Sequence, residues 1–131
     1  SVVGDDCTIS PLAVLGGHTR MHAHASLGIG ACTHQRSTLG LWSFAGMHAT
    51  ITKDVPPFCL VTGTPALITR WNTHGLDAMG LDPKVIKFDD AGEMFFLWTP
   101  GMGEGAAVAS QALLNFRQDS RRSRMAPVGS P

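Results

Sequence analysis

The chain has 131 residues, of which 44% are hydrophobic and 15% charged, with 10 basic against 10 acidic side chains. This is one domain's length with no net charge, which excludes a nucleic-acid binder relying on phosphate neutralisation. Its apolar runs all fall short of the roughly 18 residues that a membrane span needs. Three cysteines, Cys7, Cys32 and Cys59, are too scattered for a disulfide framework or a zinc finger, which favours a reducing compartment. The chain opens on Ser1 directly in patterned sequence, which reads as processing or as a piece of something longer.

The first 56 residues repeat in sixes. Counting from Val3 gives Val3, Ile9, Leu15, Met21, Leu27, Thr33, Leu39, Ala45 and Ile51, and Gly follows in five of the nine places. Four residues after each stands Cys7, Ala13, Thr19, Ala25, Ala31, Ser37, Ser43, Ala49 or Val55, nearly all small. Neither an amphipathic helix nor an alternating strand has this period. A triangular prism does, with the aliphatic inside, the small residue in the crowded turn and Gly giving backbone freedom near the corner. Three hexads make one coil, so residues 3–56 predict three coils of a left-handed parallel β-helix about 14 Å tall at about 4.8 Å per strand. The expected domains are this β-helix over 1–61, a small α-helical region over 62–116, and a basic, solvated and disordered tail over 117–131.

Val55-Pro56-Pro57-Phe58 stops the hexads, since prolines cannot donate to a ladder. Cys59-Leu60-Val61 then reads as a last strand before the Thr62-Gly63-Thr64-Pro65 turn. Asp82-Pro83 predicts a helix start leading towards Phe95–Trp98, and Glu104–Phe116 predicts the best helix. The tail holds Arg117, Arg121, Arg122 and Arg124 against Asp119.

Residues one coil apart stack. His18 should therefore share a column with Arg36 and Asp54, while His34 lies one coil away and two residues across, its Cα about 8 Å from that of His18. With Gly17, Gln35, Arg36 and Lys53 they form one polar patch on an outer face. His22, His24, His48 and His74 read as single polar surface residues. A zinc site needs three converging ligands and only two can be placed in the patch of one subunit.

Leu15-Gly16-Gly17-His18, then Cys32-Thr33-His34-Gln35, Thr52-Lys53-Asp54-Val55-Pro56-Pro57-Phe58, and Trp71-Asn72 with Gly75-Leu76, resemble the C-terminal part of the UDP-N-acetylglucosamine acyltransferases of lipid A biosynthesis. The resemblance covers about residues 1–80; the C-terminal helices match only in character. It implies a cytoplasmic homotrimer with active sites between neighbouring prisms. It also implies transfer of a 3-hydroxyacyl group from acyl carrier protein to the sugar of a UDP-sugar, with no cofactor beyond that donor and no metal. By the same resemblance, the Gly17 N–H stabilises charge on the thioester carbonyl. His18, His34 and Gln35 contact the sugar nucleotide or orient the reacting groups, Asn72 faces the donor arm, and Met47 limits acyl length.

The pattern departs from the family in three places. The family's general-base histidine falls two residues before Ser1, outside this chain. His74 stands where Glu is usual, and Ala78 and Met79 replace paired arginines. Other readings stay open: a divergent or truncated relative that acts on another hydroxyl or is a decayed copy, a β-helix metal enzyme of the carbonic-anhydrase-like type, with a third histidine from another subunit, and a non-catalytic trimeric scaffold.

Overall fold

The computed structural model describes residues 1–98, 103–120 and 122–127. Nine two-residue strands recur every six residues: β1 (Val2–Val3), β2 (Thr8–Ile9), β3 (Val14–Leu15), β4 (Arg20–Met21), β5 (Ser26–Leu27), β6 (Cys32–Thr33), β7 (Thr38–Leu39), β8 (Phe44–Ala45) and β9 (Thr50–Ile51). They build three parallel faces. The first face is β1-β4-β7, the second begins β2-β5-β8, and the third is β3-β6-β9. Partners such as Val2 and Arg20, or Cys32 and Thr50, are one coil apart, as the hexads require.

Inside, Met21, Leu27, Leu39, Ala45 and Ile51 are buried to within 1%. The polar exception, Thr33, is hydrogen-bonded: its Oγ1 lies 3.0 Å from that of Thr19 and accepts from the Gly16 N–H. This removes the cost of an unpaired hydroxyl in the core. In the first coil the interior positions Val3 and Ile9 remain 45% and 44% exposed.

The corners correct one expectation. The left-handed conformation falls on Asp6, Leu12, His18, His24, Gly30, Arg36, Trp42 and His48, one per hexad, and only one of them is glycine. The hexad glycines serve close approach instead. A Cβ on Gly16 would stand 2.5 Å from Gln35 N, and one on Gly40 would stand 2.6 Å from Pro57 N.

The register also changes. Leu39 bridges Val55, and Phe44 pairs with Leu60 in β10 (Cys59–Thr62), so the coil past Ile51 is two residues shorter than those before it. Asp54 therefore leaves the His18–Arg36 column and stacks on Thr38 of the first face, where the chain around Ser120–Arg124 covers it completely. Strand β11 (Leu67–Trp71) folds back antiparallel on β10 and closes the second face.

Beyond it lies helix α1 (Thr73–Ala78), capped by Asn72. The helix expected from Asp82 towards Trp98 is not formed. Asp82 caps a single 3-10 turn, Pro83–Val85, followed by a hairpin of β12 (Ile86–Phe88) and β13 (Met94–Phe96). The reason is local: Ile86 and Met94 point inward while Lys87 and Phe95 point outward, a period of two. Asp89 Oδ1 accepts from the Ala91 and Glu93 N–H groups, and Gly92 takes φ 80°, which together turn the chain.

Helix α2 (Gly103–Asp119) contains the expected 104–116 segment and packs Ala106, Ala109, Leu113 and Phe116 inward. The expected solvated tail is corrected over its described part. Arg117 completes the helix and donates to the Met94 carbonyl, Arg124 pairs with Glu93 at 2.7 Å, and Met125 is buried. Arg121 and 128–131, also placed in that tail, lie outside the described residues.

Candidate functional site

Three corners carry the outward chemistry, and the residues singled out in the sequence are divided among them. The corner between the third and first faces holds Gly17 and His18 in one coil, with Gln35 and Arg36 in the next. The Arg36 N–H donates to the Gly17 carbonyl at 2.7 Å, so the two coils stack directly. His34 leads into this corner, and all five residues are exposed. His34 Nδ1 lies 3.0 Å from the Gln35 carbonyl oxygen. A carbonyl only accepts, so in the neutral ring Nδ1 carries the proton and Nε2 is left as an acceptor. Gly17 has nothing within 4 Å of a built Cβ, which leaves room beside its backbone. Exposed Lys53 follows in the next coil.

Asn72 and His74 belong to a different corner, the one between the first and second faces. There the rings of His24 and Trp42 stack at 4.3 Å, and His74 stands edge-on to Trp42 at 5.7 Å. The Asn72 amide is buried and committed within the chain: Nδ2 donates to the Trp42 carbonyl at 2.8 Å, and Oδ1 accepts from Gly75 N–H. Gly75 is required there because a Cβ would meet the Trp42 ring at 2.7 Å. Met47, 69% exposed, sits on the remaining corner beside His48, with Leu12 and Ile29 also exposed. Within one chain, then, Gly17, His18, His34 and Gln35 come together, while Asn72 with His74 and Met47 stand apart from them and from each other.

Among the described residues no three His, Cys, Asp or Glu side chains converge on a metal-sized point, and no helix is long and apolar enough to cross a membrane. His22 and His24 are more enclosed than single surface histidines. His22 Nε2 lies 2.8 Å from Asp119 Oδ2, and His24 Nε2 lies 3.8 Å from Asp6. Sequence arithmetic missed the first pair because its partner is on a distant helix. The second pair was legible as a stacked column.

Hexad strands, three stacked faces and a C-terminal helix define the class: a left-handed parallel β-helix of hexapeptide repeats. Solved structures agree. The Arabidopsis UDP-N-acetylglucosamine acyltransferase superposes with a TM-score of 0.70 at 20% identity, covering 95% of this chain and 50% of that one. PerB from Caulobacter crescentus, solved with CoA and GDP-perosamine, superposes with a TM-score of 0.51 at 29% identity, covering 52% of this chain and 33% of that one.

In sequence, the chain is similar to the C-terminal part of the acyl-[acyl-carrier-protein]–UDP-N-acetylglucosamine O-acyltransferases. It is 36% identical over 85 residues to that of Alkalilimnicola ehrlichii, covering 65% of this chain and 33% of the relative. It is 35% identical over 86 residues to that of Pseudomonas putida strain F1, covering 66% and 33%. The chain thus spans about a third of the length of these curated relatives. No family model matches it.

Proposed function

We propose that this chain forms part of an acyl-carrier-protein-dependent O-acyltransferase that transfers a 3-hydroxyacyl group to the sugar of UDP-N-acetylglucosamine, in lipid A biosynthesis. The observation that carries this reading is the Gly17-His18 and His34-Gln35 pattern folded onto one exposed corner, in a chain 36% identical to such an enzyme over 85 residues. At that corner the Gly17 N–H would face the thioester oxygen, and His34 Nε2 would accept from a sugar hydroxyl. His18 and Gln35 would line the sugar. Arg36 and Lys53 would supply the phosphate-facing cations that Ala78 and Met79 do not.

The proposed assembly is a cytoplasmic homotrimer without a cofactor. It gives a physical reason for the division of residues among corners: exposed His74 would meet the His18–His34 corner of a neighbouring prism, with Asn72 holding its helix in place as the N-cap. The proton-accepting base would come from outside residues 1–131.

The test is release of carrier-protein thiol from a 3-hydroxyacyl thioester on addition of UDP-N-acetylglucosamine. It is run with the chain alone and with the chain joined behind the N-terminal coils of its Alkalilimnicola relative. Sugar-nucleotide-dependent release supports the assignment, and its absence from a folded, trimeric fusion contradicts it. In the active form, Met47→Gly shifts preference to longer acyl chains, and an unchanged chain-length profile removes Met47 as the ruler.

A further inference from the structure

The cleft between α2 and the first face of the prism has no part in the reading above. It is a cavity of about 550 Å³, within the range of small-molecule sites. Its apolar wall comes from exposed Val2 of the β-helix, above the buried Met21 and Leu41, and from Val108 and Ala112 of α2. Its polar edge is built from His22, Asp119, Gln111 and Asn115.

The polar edge is ordered. Asp119 Oδ2 lies 2.8 Å from His22 Nε2, and Oδ1 lies 3.5 Å from Arg20 Nη1. Phe116 meets the imidazole edge-on at 6.5 Å, and the Thr38 hydroxyl donates to the Asp119 carbonyl at 3.3 Å. With Nε2–H given to the carboxylate, the neutral His22 ring keeps Nδ1 as an acceptor, for which the described residues provide no partner. Gln111 Nε2 donates to Asn115 Oδ1 at 3.0 Å, and among the described residues the Gln111 oxygen and the Asn115 amide protons have no partner. His22 and Asp119 are the only titratable side chains among the described lining residues, and Asp119 is already faced by Arg20 and His22. A charged ligand would find no counter-charge there and would lose its hydration uncompensated.

We propose that this cleft is a second binding site, for a neutral amphiphile: an apolar chain against Val2, Val108 and Ala112, and a hydroxylated head group on His22 and Gln111. The alkyl glycoside is the simplest molecule of that chemistry. The site is independent of the acyl-transfer corner and uses none of its residues.

Methyl and imidazole NMR of the purified chain tests it, with n-octyl β-D-glucoside added below its micellar concentration. Saturable shifts are expected at Val108, Val2 and His22, with binding at least about tenfold tighter than for octyl sulfate or methyl glucoside. His22→Gln should weaken binding by about tenfold. Ala112→Trp should abolish it by filling the cleft, while the Leu27 and Ile51 methyl resonances keep their positions. The proposal is overturned by shifts that do not saturate, by octyl sulfate binding equally well, or by undiminished binding in a folded Ala112→Trp variant.

Discussion

Asp54 carries no exposed surface, yet its carboxylate accepts three hydrogen bonds: from Thr38 N–H at 2.8 Å, Ser120 Oγ–H at 2.5 Å and Arg122 N–H at 3.3 Å. Its backbone also pairs with Ser123 and Met125, so one buried acid fastens the end of α2 to the mouth of the prism. Replacing it by Ala strips charge-assisted bonds from one buried and two part-buried donors, and should cost roughly 3 kcal/mol in urea unfolding. Hydrogen exchange should show residues 122–127 losing protection first. Sequence arithmetic put Asp54 outside, stacked on His18, because it assumed a constant coil. The shortening past Ile51 depends on where Pro56 and Pro57 seat against Gly40, which periodicity does not encode. Cys59 is a second residue with a readable consequence. Full burial pushes its thiol far above the usual range, so the folded state holds the proton that the unfolded chain releases. Its contribution is therefore complete below about pH 8.5 and declines by about 1.4 kcal/mol per pH unit above it. Urea midpoints across that range check the sign, and native-state alkylation should leave Cys59 unlabelled.

At the scale of the elements, adjacent glycines have opposite duties. A Cβ on Gly16 would lie 2.5 Å from Gln35 N and 2.6 Å from the Thr33 oxygen, both backbone atoms of the next coil. Gly16→Ala should therefore force the coils apart and cost about 2–3 kcal/mol. Gly17→Ala, with open space around it, should change stability by less than about 0.5 kcal/mol. Paired thermal melts decide the matter, and equal losses would refute the close-approach account. The two-residue strands, recurring every six residues, and α2 were legible because each answers to a strong period or to local propensity. The β12–β13 hairpin was missed although its signals were present: alternation across Ile86–Phe88 and Met94–Phe96, and an Asp-Asp-Ala-Gly turn. Asp82 and Pro83 do start a helical turn, but a capped start does not set how far a helix runs, and this one ends at Val85.

For the whole molecule, the solenoid converts sequence spacing into three columns with distinct chemistry. One is cationic and histidine-bearing around His18, His34 and Arg36, one aromatic around His24, Trp42 and His74, and one apolar around Leu12, Ile29 and Met47. The sequence alone revealed which residues share a column as far as Ile51, but it misplaced Asp54 and did not bring His74 to Trp42. It did not reveal that α2 lies along the first face, because the Arg20, His22 and Asp119 contacts join residues some hundred positions apart. The account as a whole rests on the His18–His34 corner being where a sugar nucleotide binds. Isothermal titration of UDP-N-acetylglucosamine into the purified chain tests that most directly. The account predicts saturable binding that His34→Ala weakens by about tenfold and that His48→Ala, on another corner, leaves unchanged. Absence of binding, or equal loss in the two variants, would contradict it.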